Sequence, residues 1–161
     1  MITPESLVAL AVFVLANFAA ASSGAIFRPG EWYASLAKPS WTPPNWAFPV
    51  VWSVLYVLNA VSGWMVWQAG GAGATSVLLL YTISLALNAG WSAVFFGRRR
   101  IDLGLVNVAV LWLSILGVAI LFWPISQGAA LLQAPYLLWV TIAAALNLSI
   151  LKLNRRTPHS A

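Results

Sequence analysis

A chain of 161 residues that is 61% hydrophobic and only 7% charged cannot be a water-soluble domain, whose composition runs to about a quarter charged residues. It reads as an integral membrane protein with room for a single domain, residues 1–161. The net charge of +5 comes from basic residues at the ends of apolar runs, where they set topology and touch lipid headgroups, and no basic helix face or motif points to nucleic acid. The chain has no cysteine, which excludes disulfides, thiolate metal sites and cysteine nucleophiles.

Five apolar runs reach the roughly 20 residues that cross a bilayer as helix. They cover residues 7–27, 46–67, 76–96, 101–123 and 131–151. None shows the short alternating pattern of a transmembrane strand, so the expected fold is an all-α bundle of five transmembrane helices. In the first run, Thr3 and Pro4 supply a cap and a first helical residue. The run carries Glu5 and no basic residue before Arg28, which marks it as a retained span rather than a cleaved signal. From Trp32 into the start of the second run, Trp32, Trp41, Trp46 and Trp52 interleave with Pro39, Pro43, Pro44 and Pro49. Proline fixes φ and removes a donor, so this segment is expected to be stiff, extended and poorly helical. Residues 28–45 within it are expected to form a lid loop. Pro49 and Pro135 fall in first turns, Gly70, Gly71 and Gly73 mark the connection before the third run, and Pro124 closes the fourth.

The basic residues Arg28, Lys38, Arg98, Arg99, Arg100, Lys152, Arg155 and Arg156 all fall in the first connection, the third connection or the tail. With five spans those segments share one side. The positive-inside rule makes that side cytoplasmic and puts the amino terminus outside.

The catalytic inventory is thin. The carboxylates are Glu5, Glu31 and Asp102, and the one histidine is His159. No triad, metal cluster, phosphate loop or proton relay can be assembled from them, and no cofactor is required. Asp102 reads as the neutralising partner of the adjacent arginine run. The neutral polar residues at membrane depth are Asn17, Asn59, Asn88, Ser92, Asn107 and Asn147. They must face the bundle interior, either bonding helix to helix or lining a pocket. Asn88 is the best pocket candidate, because Trp91 and Ser92 share its helical face.

Trp46, Trp64, Trp67 and Trp123 sit near span ends, as an interfacial belt would. Trp52 and Trp139 lie inside their spans, at depths about 9 Å apart on a rise of 1.5 Å per residue. Trp52 with Tyr56, and Trp139 with Ala143, form two faces that either fill the core or wall a pocket for a large flat apolar molecule. In the third run, Ala86, Gly90, Ala93 and Gly97 are small residues at a spacing that permits close helix approach, including dimerisation.

Five motifs in order, WY-x-x-L-x-KP-x-WTPP, FP-x-x-W-x-x-LY, LN-x-x-W-x-x-x-FF, PYL-x-W and LN, span Trp32 to Asn147. Together the chain resembles the tryptophan-rich sensory protein family, the bacterial relatives of the mitochondrial translocator protein (peripheral benzodiazepine receptor). The resemblance implies a bacterial membrane location and a five-helix bundle, usually homodimeric, whose first loop folds over an internal pocket. It implies binding of porphyrins, notably protoporphyrin IX, and of sterols and benzodiazepine-type ligands. On the motif positions, Trp32, Tyr33 and Pro43 would cover the pocket, and Trp52, Tyr56, Asn88, Trp91, Ser92, Trp139 and Ala143 would line it. Arg28 and Lys38 are near enough in sequence to meet porphyrin propionates. Trp52 and Trp139 would be the catalytic pair if the protein degrades porphyrin. Leu148 stands where the family's cholesterol motif has tyrosine, which argues against tight sterol binding. The leading expectation is a porphyrin receptor or sensor acting in tetrapyrrole regulation. A light- and oxygen-dependent porphyrin-degrading enzyme and a porphyrin or sterol transporter are the alternatives.

Overall fold

The computed structural model describes residues 3–70 and 74–155; Gly71, Gly73, Arg156 and His159 lie outside them. Helices α1 (Pro4–Ile26), α3 (Ala47–Ala69), α4 (Ala74–Ser92), α5 (Ile101–Phe122) and α7 (Ala134–Arg155) are the long elements, with short helices α2 (Glu31–Ser35) and α6 (Gln127–Leu131) between them. No strand occurs among the described residues. The fold is the expected all-α bundle, with five helical stretches long and apolar enough to cross a membrane.

Local chemistry sets the ends. Thr3 Oγ1 accepts from the Ser6 amide at 3.2 Å, and Pro4 fills the first turn of α1. Helix α3 stops at Gly70, whose φ of +65° is open to glycine. Helix α4 continues into a π-helical turn over Ala93–Gly97, closed by the Arg98 amide on Ala93 O at 2.9 Å. That wider turn lets two successive aromatics serve the bundle: Phe95 is buried, and Phe96 reaches the interior. Arg100 pairs with Asp102 through two short contacts, Nε to Oδ1 at 2.8 Å and Nη2 to Oδ2 at 2.6 Å. The expected charge neutralisation is therefore local, and the ion pair lifts the already high Arg100 pKa.

Helix α1 packs on α3 and α4, and α5 packs on α4 and α7. Side chains such as Leu15, Phe18, Val57, Leu79, Val106, Leu113 and Leu138 point outward. With apolar residues both inside and outside, the helices have the character of membrane spans rather than of amphipathic surface helices. The chain is an integral membrane protein.

In the half of the bundle around Asn59 the helices are tied by polar side chains. Asn17 Nδ2 donates to Tyr81 Oη at 2.6 Å, and Asn59 Nδ2 donates to Asn17 Oδ1 at 2.9 Å. Gln133 Nε2 donates to Asn59 Oδ1 at 3.0 Å and to Ser62 Oγ at 2.8 Å, and Ser62 in turn donates to Ala129 O at 2.8 Å. Trp64, expected in an interfacial belt, instead donates from Nε1 to Ser6 O at 2.9 Å, which fastens α3 to α1. Trp46 and Trp123 are exposed as a belt requires.

Two local expectations change. The segment after Trp32 is not extended throughout, because the prolines begin only at Pro39 and leave residues 31–35 free to form α2. The fifth span begins within the bundle: Gln133, just before α7, bonds Asn59 near the middle of α3, since the Ser126-capped α6 turns the chain back inward. In the third span, a Cβ on Gly97 would lie 2.8 Å from the Phe27 ring, so that glycine serves this chain's own packing, whereas one on Gly90 would make ordinary contact 3.5 Å from Asn107 Nδ2.

Candidate functional site

Toward the end of the bundle that carries Arg28, Arg98 and Arg155, the helices enclose a cavity of about 510 Å³. That lies within the roughly 300–1,000 Å³ typical of ligand pockets. Its mouth is formed by Pro29, Tyr33 and Asn45 of the first connection. Helix α3 contributes Phe48, Pro49, Trp52, Ser53 and Tyr56; α4 and its π turn contribute Asn88, Trp91, Ser92 and Phe96. Helix α7 contributes Trp139, Val140 and Ala143, α5 closes the deep end with Val108 and Leu111, and Ala21, Gly24 and Ala25 of α1 complete the wall.

Heptad-like spacing explains the alignment. Phe48, Trp52 and Tyr56 follow at four-residue steps on α3, and Asn88, Trp91 and Ser92 at three and four on α4, so each set shares one face. Ring contacts hold the faces in place. Phe48 meets Trp139 edge-on at 5.7 Å, Trp52 lies 5.6 Å from Tyr56 and 6.1 Å from Tyr136, and Trp91 stacks on Phe95 at 4.9 Å. At the deep end, Tyr56 Oη donates to Asn88 Oδ1 at 2.6 Å and Asn88 Nδ2 donates to Tyr136 Oη at 2.7 Å. One asparagine thereby ties α3, α4 and α7 together beneath the cavity. Asn147 accepts from Trp91 Nε1 at 3.3 Å and donates to Ile101 O at 2.8 Å.

Trp139 packs against Phe48, one turn from Trp52 on α3, and both tryptophans line the cavity. The Nε1 of Trp139 is buried with no partner among the described residues, as is Asn107 Oδ1 between α4 and α5. No carboxylate or histidine lines the cavity, and no group of three or more metal-ligating side chains occurs among the described residues. The arrangement can hold a large apolar body and offer it a few neutral donors. It contains no acid–base pair.

Tyr33, Trp52, Tyr56, Asn88, Trp91, Ser92, Trp139 and Ala143 all line the cavity; Trp32 and Pro43 do not. Trp32 packs edge-on against Phe95 at 5.8 Å, behind the wall, and steadies α2 rather than the pocket surface. Arg28 and Lys38 are also absent from the lining. Arg28 Nε donates to Ala25 O at 2.8 Å, and Lys38 Nζ bonds Ala34 O and Leu36 O while lying 4.7 Å over the Tyr33 ring. Both are held by local carbonyls at the mouth. Burial lifts the Tyr33 phenol pKa above its ordinary value. Sequence reasoning missed Phe48, Phe96 and Tyr136. The four-residue step from Phe48 to Trp52 was a usable signal, whereas Phe96 depends on the π turn, which no pattern announced.

A membrane bundle of five spanning helices around a lidded aromatic cavity is the class that fold and site define. The sequence model of the TspO/MBR family matches residues 8–153, and the chain belongs to that family. It is 43% identical to protein CrtK of Rhodobacter capsulatus over 92% of this chain and 94% of that one. It is 38% identical to the tryptophan-rich sensory protein of Cereibacter sphaeroides, over 92% of each. With the human translocator protein it shares 37% identity over 84% of this chain and 83% of the human one.

Proposed function

We propose that the protein is a membrane receptor or sensor whose cavity takes a large, flat, apolar ligand of the tetrapyrrole class, with protoporphyrin IX as the first candidate. The observation that carries the reading is the cavity itself: aromatic rings from α3, α4 and α7 surround a ligand-sized space in a chain of this family. Flat rings stack on tryptophan faces such as those that Trp52, Trp91 and Trp139 bring to the cavity. Arg28 and Lys38, now bonded to carbonyls of their own segment, would exchange those bonds to meet carboxylates that remain outside the apolar wall. Sterols and benzodiazepine-type compounds are further flat apolar candidates for the same space, and the sensory name of the Cereibacter sphaeroides relative agrees with a sensing role. In a bacterial membrane, the basic end and carboxyl terminus would face the cytoplasm and the amino terminus the outside. A homodimer belongs to this reading. Because Gly97 is used within the chain, its contact on α4 would run along the outward Leu79, Ile83 and Ala86 instead.

Titration with protoporphyrin IX in darkness, read by tryptophan fluorescence quenching, tests the site. Saturable binding to the wild type, weakened at least tenfold in Trp52→Ala and Trp139→Ala, is expected. Equal affinity in all three proteins would remove the cavity as the site. The contacts of Trp52 with two tyrosine rings favour a second reading, light- and oxygen-dependent breakdown of the bound porphyrin. Illuminating the same complexes distinguishes them: a product spectrum that requires Trp52 or Trp139 marks an enzyme, and bleaching identical to free porphyrin marks a receptor.

A further inference from the structure

We infer that Asn154 is a positioning residue for the cavity, a latch on α7 that holds the first connection closed over a ligand it does not touch. The inference rests on the ligand-binding reading above, but its geometry stands by itself. Asn154 Oδ1 accepts from the Ala37 amide at 3.1 Å, and Asn154 Nδ2 donates to Ala37 O at 3.0 Å. Both backbone groups of one lid residue are thus paired with one side-chain amide, as a neighbouring β-strand would pair them. Nδ2 also donates to Ile150 O at 2.8 Å, which fixes the amide to its own helix.

Asn154 lies eleven residues, about three turns of α7, beyond the lining residue Ala143. Ala37 lies two residues beyond the end of α2, and α2 carries Tyr33, the lid residue whose ring meets Phe96 at 5.4 Å and Phe95 at 6.1 Å. Behind it, Lys38 covers the other part of the Tyr33 ring. The latch therefore acts near the middle of the 28–45 connection, four residues beyond the Tyr33 ring contacts. Ring contacts alone are non-directional and allow the lid to slide. A two-point amide bond to the backbone fixes its register. A side chain that reads only Ala37 N–H and C=O, on a helix that also walls the cavity, couples the position of α7 to closure of the mouth.

The test uses the full chain in lipid nanodiscs, wild type against Asn154→Ala and Asn154→Asp, with two readouts. The first needs no ligand: hydrogen exchange at the Ala37 amide. The latch predicts at least tenfold faster exchange in Asn154→Ala, with unfolding temperature unchanged. The second is stopped-flow protoporphyrin IX quenching. Association and dissociation should both accelerate, dissociation by about tenfold, the factor that about 1.4 kcal/mol gives. Asn154→Asp supplies a check that a merely structural role would not reproduce. Its carboxylate repels Ala37 O at neutral pH, but once protonated, below about pH 4, it can donate there again. Because the carboxylate still accepts from the Ala37 amide while repelling Ala37 O, its exchange at pH 7 should lie between those of the wild type and Asn154→Ala, and it should return toward the wild-type ratio in acid. Unchanged Ala37 exchange in both variants would overturn the latch, whatever the ligand result. No saturable porphyrin binding by the wild type would overturn the ligand reading and leave the exchange result to decide the latch.

Discussion

The two halves of the bundle are built on different principles. Around Asn59, the side chains of Asn17, Tyr81, Ser62 and Gln133 saturate one another across α1, α3, α4 and the start of α7. Backbones there approach so closely that a Cβ on Gly63 would fall 2.7 Å from the Phe13 ring. At the basic end many contacts pass between aromatic rings, and a cavity of about 510 Å³ remains. Hydrogen-bonded amides in a low-dielectric interior specify one arrangement of helices, whereas ring edges tolerate a void and an exchangeable occupant. The polar half thus supplies the rigidity that lets the aromatic half stay open.

Substitutions should separate the halves, from large effects to small. Gly63→Leu has no space against Phe13 and Tyr81 and should cost about 3 kcal/mol, enough to deplete folded protein in a detergent melt. Asn59→Ala strips partners from Asn17 and Gln133 and should cost about 1–2 kcal/mol, modest because the separated helices also find partners within the membrane. The folded fraction should keep wild-type porphyrin affinity. Asn88→Leu cuts the link from Tyr56 to Tyr136 on the boundary between halves. It should cost about 1 kcal/mol and also weaken binding, the one variant to register in both assays. Trp139→Phe, whose indole N–H has no partner to lose, should leave the melt within about 0.5 kcal/mol of wild type while weakening the porphyrin complex.

The smallest effect is alkaline. The Tyr33 pKa is raised by burial, so its neutral form favours the closed lid. That contribution is complete below the ordinary phenol value of about 10 and declines as pH rises through it. Hydrogen exchange of residues 31–37 should accelerate above that pH, and Tyr33→Phe should abolish the dependence.

How much of this was legible in the sequence follows the same division. The five spans, the gathering of basic residues at one end and the shared face of Asn88, Trp91 and Ser92 follow from hydropathy, charge and helical period. Each is a property of one segment. What escaped depends on two segments at once. Residues 128–132 are apolar, so nothing in hydropathy shows that α7 starts level with Asn59; Gln133 shows it only once its partner is known. Trp64 has the composition of a belt residue but finds Ser6 on α1. Trp32 and Tyr33 are adjacent in one motif, yet a helical turn at α2 points one at Phe95 behind the wall and leaves the other at the mouth. Arg28 and Lys38 are near the cavity in sequence but satisfied by carbonyls of their own segment.

The most direct measurement fills the void. Ala143 lines the cavity from α7 and makes no hydrogen bond there through its side chain. Ala143→Phe places a ring in the empty space and touches none of the polar network. The expected result is an unfolding temperature equal to or above wild type together with loss of saturable protoporphyrin IX quenching. Wild-type porphyrin affinity in that variant, with the fold intact, would contradict the assignment of the cavity as the ligand site.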